Sequence, residues 1–332
     1  MTMGSKALKQ KSILINGISS EILNVLLKDN TTGSNIIWAT NDYISIGNEY
    51  SFNNPIYDNQ ITGANDNIIK PRVEKDRESQ TQRSKDKAEV FTPSWVCNAQ
   101  NNLIDNAWFG LPRNRFNTER NNSWETNYYK ITFPQNKCWQ DYVTTKRLEI
   151  SCGEAPYLTS RYDTVTGKMI PVKKRIGILD RKLRIISENV DSTENWKKWA
   201  KYALQSTYGY EWQGDNVLLA RENVLLTTIE HFNDKFNEQL DQDTILLFAN
   251  IISWNIWQMD GIKYVIPNTC HEVDNIQISL FETEEAKDIC PGCKTGDYLK
   301  HNGIYATIMD WDENNVVRFV DLLEGVEQDG TI

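Results

Sequence analysis

The chain has 332 residues, of which 39% are hydrophobic and 24% charged, the ordinary balance of a soluble globular protein and enough for one large domain or a core with small additions. Its formal net charge of −9 argues against a protein that coats nucleic acid non-specifically, which needs Lys and Arg facing phosphate, yet falls short of the acidity of a DNA mimic. No run of eighteen apolar residues is present, so no membrane-spanning helix is expected.

At the N-terminus, Lys6, Lys9 and Lys11 precede only Ile13, Leu14 and Ile15, too short for a signal-peptide core, and a cytoplasmic protein with reduced cysteines is expected. The stretch Ser12 to Asn30 reads as a helix with Ile18, Ile22, Leu23, Leu26 and Leu27 on one face. Ile36 to Ala39 reads as a strand. Residues 70–87 are almost all charged or polar, which predicts a solvated linker or a strip that touches DNA phosphate. A second basic stretch, Lys168 to Arg184, follows the hairpin-turn sequence Asp163-Thr-Val-Thr-Gly167. Thr193 is placed to cap a helix whose apolar face is Trp196, Trp199, Ala200 and Ala203, and a further helix is expected from Asp215 to Phe232. Strand-like and helical segments alternate from 145 to 262, which argues for an α/β core with a mostly parallel sheet and helices on both faces.

Three segments carry candidate chemistry. Arg147-Leu-Glu-Ile-Ser-Cys-Gly-Glu-Ala-Pro-Tyr-Leu158 reads as a first strand and a loop of small residues, where backbone can approach a ligand. Tyr208-Gly-Tyr-Glu-Trp212 reads as a second strand ending in an acid, the position from which a carboxylate accepts hydrogen bonds from ribose hydroxyls. Gly177-Ile-Leu-Asp180 competes with it for that role. Ile251 to Gly261 reads as a helix end, a short strand and an acid–Gly turn, with Trp254 and Trp257 as core residues. These segments should converge, because ligands of open α/β sheets bind beyond the carboxyl ends of the strands.

With Phe91-Thr-Pro93 ahead of them, the order of these segments resembles the amino-group (N6-adenine) DNA methyltransferases of restriction–modification systems, especially their modification subunits, over residues 85–265. The resemblance implies a Rossmann-like, S-adenosylmethionine-binding core in which Phe91, Thr92, Pro93, Ser151, Cys152, Gly153, Ala155, Glu211 and Asp260 hold the cofactor. It implies DNA as partner, with a restriction or specificity subunit alongside. The family usually has a second loop glycine where this chain has Ala155. The segment that grips a flipped adenine there, a polar residue followed by two prolines and an aromatic, is not recognisable after Asp260, so no catalytic residue is assigned. Asn54-Pro-Ile-Tyr57 matches it in part and out of order. Two functions stay open, an active methyltransferase and a catalytically degenerate partner that binds cofactor or DNA, beside a plain structural α/β protein.

Cys290-Pro-Gly-Cys293 is a knuckle that aims two thiolates at one ion. Cys270 with His271 or His301 can complete a tetrahedral zinc site, and the charged spacer Phe281 to Glu285 reads as a loop pinned at its base. Gly303 to Met309 and Val316 to Val320 read as a β-hairpin. The expected organisation is an N-terminal extension (1–85), the methyltransferase-like core (86–265), and a small C-terminal module of zinc knuckle and hairpin (266–332).

Overall fold

A computed structural model describes residues 19–75, 78, 81, 83, 85, 92–278 and 283–323. In chain order, helix α1 (Ser20–Leu27) and the short α2 (Asp58–Ile61) precede α3 (Ser94–Phe109), the hairpin β1 (Asn117–Arg120) and β2 (Ser123–Thr126), and α4 (Trp139–Thr144). The central unit follows: β3 (Arg147–Glu149), α5 (Ile178–Asn189), α6 (Thr193–Gln205), β4 (Thr207–Glu211), α7 (Gly214–Phe236), α8 (Gln242–Asn255) and β5 (Ile256–Gln258). The chain continues through β6 (Val273–Ile278), β7 (Thr283–Asp288), α9 (Pro291–Thr295), β8 (Thr307–Asp310) and β9 (Asn315–Arg318).

Local chemistry accounts for the helix boundaries. Ser19 caps α1 through Ile22 N, and Asp241 caps α8 through Thr244 N at 2.8 Å. At α6 the cap is Ser192, whose Oγ accepts from Asn195 N, so Thr193 is the first helical residue rather than the cap. Helix α3 ends at Gly110, which takes φ 67°, the left-handed value that glycine adopts without steric cost.

The fold is mixed α/β around a three-stranded parallel sheet in the order β3-β4-β5, with Arg147 opposite Thr207 and Gly209 opposite Ile256. Side chains alternate across it. Gly209, Glu211, Ile256 and Gln258 share one face, and α6, α7 and α8 pack on β4 from the helical side, where Ile256 joins the main core. Tyr208, Tyr210 and Trp257 share the other face. They are covered by Ile266, Ala306, Ile308 and Phe319 of the C-terminal segment. Helices on both faces were expected; among the described residues the second layer is the β8–β9 hairpin instead, whose Ile308 packs with Ala306 and Phe319 on the three rings. Of the two tryptophans read as core, Trp257 is buried there and Trp254 is only half-buried.

Other expectations change. Residues 12–18 lie outside the described residues, and the helix begins at Ser20. Residues 36–39 form no ladder strand: Ile37 makes one isolated bridge to Pro55 and its N–H and carbonyl are taken by the Gln258 side chain, while Ala39 turns to φ 61°. Gly177 to Asp180 opens a helix, not a strand. The spacer between the cysteine pairs contains the paired strands β6 and β7, with 279–282 outside the described residues. The charged stretch 70–87 is not simply solvated, since Lys75 and Arg83 turn inward and pair with buried Asp215 at 3.0 Å each. The segment read as an N-terminal extension puts Leu26, Leu27, Ile36 and Trp38 into the main core.

Gly214 opens α7 pressed against the Ile37 carbonyl; a Cβ there would lie 2.0 Å from that oxygen. Gly214→Ala should therefore cost about 2–3 kcal/mol, an overpacking effect that outweighs the helix preference of alanine. Chemical denaturation checks this, and an unchanged midpoint would mean the contact relaxes freely.

Candidate ligand cleft and metal centre

The carboxyl ends of β3, β4 and β5 open into one cavity of about 1130 Å³. Its walls come from separated parts of the chain, with Ala39 to Asn41 and Phe52 of the N-terminal segment among them. Thr92 precedes α3; Glu149 to Gly153 leave β3; Glu211 to Gln213 leave β4; Met259 to Lys263 leave β5. Thr92, Ser151, Cys152, Gly153, Glu211 and Asp260 thus line one cleft. Pro93 and Ala155 do not: Pro93 caps α3, and Ala155 is wholly buried beneath the loop. Phe91 lies outside the described residues. Asp180 is also elsewhere, binding Ser160 N at 2.8 Å and His231 Nε2 at 3.0 Å in the helical layer, which removes it as the acid of the cleft. Asn54-Pro-Ile-Tyr57 does not line the cleft either; Asn54 donates to Asn48 O, Ile56 is core and Tyr57 faces solvent.

The loop after β3 curls sharply, with Ser151, Gly153 and Ala155 at φ 47°, 53° and 61°. Ala155 occupies a left-handed position that glycine would take more cheaply. Glu211 holds the curl in place. One carboxylate oxygen accepts from Gly153 N at 2.9 Å and the other from Gln213 N at 3.2 Å. Cys152 N is bound to Tyr210 O, and its thiol packs over Gly209, where a Cβ would come within 3.2 Å of sulfur. Burial pushes that thiol well up, so it is an apolar filler rather than a nucleophile. Asp260 folds its own turn, accepting from Ile262 N at 2.9 Å and Lys263 N at 3.1 Å. Gly261 passes beneath Tyr210, with 2.8 Å from a would-be Cβ to the ring.

Glu149, Gln213, Tyr157 and Lys263 also line the cleft and were not singled out from the sequence. Glu149 had a readable signal, as an acid ending the first strand. Its carboxyl is buried, which pushes it up to about 8 against the pull of the Tyr157 and Leu158 N–H donors, with nearby Glu211 adding to the rise. Burial likewise raises Glu211, opposed by the backbone N–H groups of Gly153, Gln213 and Trp212. Gln213 Oε1 is buried without a hydrogen-bond partner. Among the described residues, the cleft therefore presents three carboxyl groups, an amide oxygen in need of a donor, several aromatic rings, and one ammonium, Lys263.

A second constellation lies in the C-terminal segment. Cys270, Cys290, Cys293 and His301 bring their ligand atoms within 4.8 Å of one another, a group that can hold a metal ion. His301 Nδ1 lies 3.6 Å from the sulfurs of Cys270 and Cys290 and 3.7 Å from that of Cys293. His271 is not part of it. Adjacent residues of an extended chain point apart, so with Cys270 turned inward His271 faces solvent and its N–H donates to Asn302 Oδ1. Burial works against a Cys290 thiolate, but N–H donors from Asn302, Cys293 and Gly292 and the His301 ring outweigh it and bring the thiol down to about 6. Cys270 is pushed up to about 12 by burial and by the neighbouring thiols. Gly292 lies against His301, where a Cβ would meet the ring at 2.6 Å.

Comparison with protein-family models, with curated proteins and with solved structures finds no match to this chain.

Glu149 gives the cleft a pH signature. Its folded value of about 8 lies above the ordinary 4.5, so the stability it contributes is fully present below 4.5 and is lost as pH rises through 8. Glu149→Gln removes the charging penalty and keeps one acceptor, enough for Leu158 N, the shorter of the two bonds, at a pH-independent cost at Tyr157 N. The variant should gain on the wild type between pH 5 and pH 8.5, by at least about 1 kcal/mol, since one pKa unit is worth about 1.4 kcal/mol. Thermal melts across that range check it; a pH-independent difference would mean that Glu149 titrates normally.

Proposed function

We propose that the cleft is an S-adenosylmethionine site and that the chain works in DNA adenine N6-methylation, in a restriction–modification or related DNA-defence setting. It holds the cofactor, and the segment that grips the adenine comes from a partner chain. The observation that carries this reading is the meeting of Thr92, Gly153, Glu211 and Asp260, taken from four places in the sequence, at the carboxyl ends of three parallel strands.

The chemistry of the walls favours this ligand over other nucleotides. A dinucleotide or nucleoside triphosphate would bring negative charge beside Glu211 and Asp260, with Lys263 the one ammonium among the described residues of the walls. S-adenosylmethionine brings a sulfonium cation, an ammonium group, two ribose hydroxyls and an adenine amino group, all suited to carboxylates and to the open acceptor of Gln213. Glu211 would hold the ribose and Asp260 the adenine. The cofactor supplies an activated methyl group; the chain's own residues bind and orient it. Among the described residues that line the cleft, none form the polar–Pro–Pro–aromatic run that adenine gripping needs, which favours a separate source for that function over an enzyme complete in this chain.

Titration calorimetry with S-adenosylmethionine tests the site. Glu211→Ala should weaken binding by roughly 1.5–3 kcal/mol, the size of a lost hydrogen bond to a charged group. Gly153→Val should weaken it further, because a β-branched residue cannot take φ 53° and would fill the loop. Glu211→Gln separates binding from folding, since it keeps an acceptor for Gly153 N. No heat of binding for the wild type would end the reading. Adenine methylation measured for the chain alone and with the products of neighbouring genes tests the division of labour: methylation by the chain alone would overturn the partner's role.

We assign the Cys/His cluster to structural zinc. Bond lengths of about 2.3 Å to sulfur and 2.0–2.1 Å to nitrogen set the S–N edges of a tetrahedron at about 3.6 Å, and four protein ligands leave no open position. The same segment pairs with the chain just beyond the cleft wall, through Ile266 N to Ile304 O and Ala306 N to Tyr264 O. Protein purified without chelator should carry about one zinc per chain. Stripping it should lower the melting temperature and weaken S-adenosylmethionine binding, whereas His271→Ala should change neither.

A further inference from the structure

The basic strip that the sequence offered to DNA, residues 70–87, is partly consumed inside the protein by Asp215. Another basic surface is not. Between residues 113 and 130 four basic side chains stand against two acidic ones, and between 168 and 175 four stand against none, in a chain whose net charge is −9. The fold brings these two stretches together: Trp124 Nε1 of β2 donates to Lys174 O at 2.8 Å, and Arg184 reaches Tyr129 O at 3.1 Å. Arg113, Lys130, Lys168, Lys173 and Lys174 are exposed and make no ion pair among the described residues. Arg175 differs, being buried on Glu230.

Two further features point to a nucleic acid rather than an acidic protein. Tyr128 and Tyr129, next to Lys130, are 65% and 84% exposed, far more than side chains of their size usually are. Adjacent aromatic rings among cations offer stacking platforms beside phosphate contacts. The surface also leads to the cleft. Thr164, in the turn that carries Lys168, donates its hydroxyl to the carbonyl of Thr92, and Thr92 lines the cavity.

We propose that Arg113, the Tyr128–Lys130 segment and the Lys168–Lys174 loop form a DNA-docking face that delivers a strand to the mouth of the cleft. The assignment of DNA as the acid partner rests on the function proposed above, whereas the docking face itself does not require that the cleft bind S-adenosylmethionine. Lys and Arg would meet phosphates, and the tyrosines would stack on bases that leave the duplex.

The test is fluorescence anisotropy of a labelled 30-nucleotide DNA, as single strand and as duplex, against the full chain without cofactor at a series of NaCl concentrations. The variant Lys130→Ala/Lys173→Ala/Lys174→Ala should bind at least tenfold more weakly and lower the slope of log K against log salt by roughly 2–3, one phosphate contact per side chain. Tyr128→Ala/Tyr129→Ala should weaken the single strand more than the duplex. Lys294→Ala/Lys300→Ala, on the cysteine module, should leave binding unchanged. These positions are exposed, so circular dichroism should report unaltered folding for all three variants. Absence of salt-dependent binding by the wild type, equal binding by the triple variant, or stronger binding of an RNA of the same sequence would overturn the proposal. Calorimetry with S-adenosylmethionine is read separately, so a failed cofactor site and a failed docking face give different results.

Discussion

The guanidinium of Arg221 is wholly buried and gathers four backbone carbonyls: Leu26 and Lys28 at the end of α1, Ser253 in the last turn of α8, and Ile256 at the start of β5. These are the oxygens that a helix end leaves without intrahelical donors, and inside a core no water replaces them. Lys182 does the same one strand away, donating to Thr145 O, Ser206 O and Ser206 Oγ where α4 and α6 run into β3 and β4. Each strand of the sheet follows a helix almost without a linker, so carbonyls crowd at the amino ends of the sheet. The two cations are the solution, and burial draws Arg221 down to about 10 and Lys182 well below its ordinary value.

The opposite ends of the same strands carry Glu149, Glu211 and Asp260. Positive charge at one end of a short sheet and carboxyl groups at the other gives the cleft its character. Both Glu149 and Glu211 are raised first by burial, and each is raised further by a neighbouring carboxylate, Glu149 by Glu211 and Glu211 by Asp215. A ligand with cationic or hydroxyl groups relieves that strain, and one with phosphates increases it. The shape of the loop alone would suit any nucleotide; the charge of the walls separates the candidates.

Much of this was legible in the sequence, and the failures have physical causes. The helices with strong apolar faces were readable because their periodicity reports burial directly. The convergence of Gly153, Glu211 and Asp260 followed from strand–turn order, since the carboxyl ends of parallel strands must share one side of a sheet. What could not be read depended on partners distant in sequence. Lys75 and Arg83 look like a solvated charge run until Asp215 is placed opposite them. Ile36 to Ala39 has strand composition, but the side chain of Gln258 occupies the hydrogen bonds a neighbouring strand would have made. His271 and His301 are equal as residue types, and only the direction of the chain through Cys270 decides between them. The C-terminal hairpin was readable from its own strands and turn, but its place over Tyr208, Tyr210 and Trp257 was not, because that contact joins segments distant in sequence.

That C-terminal layer joins the two candidate sites into one construction. The cysteine cluster fixes residues 301 to 303 through His301 and through Asn302 N, which donates to Cys290 Sγ at 3.2 Å. The next residues pair with the chain just beyond the Asp260 turn, with Val265 bridged to Tyr305 and Ala306 N bound to Tyr264 O. Phe319 then packs on Tyr210 and Trp257 from above the sheet. Tyr210 in turn lies over Gly261. A wall built from one three-residue strand and a tight turn has little rigidity of its own, since it makes few ladder bonds. Its position is set instead by this chain of contacts from the thiol cluster to Asp260. The cysteine cluster, which meets the cleft wall at Lys263 beside Cys293, is therefore a positioning element for the acid on which the cleft's third side depends.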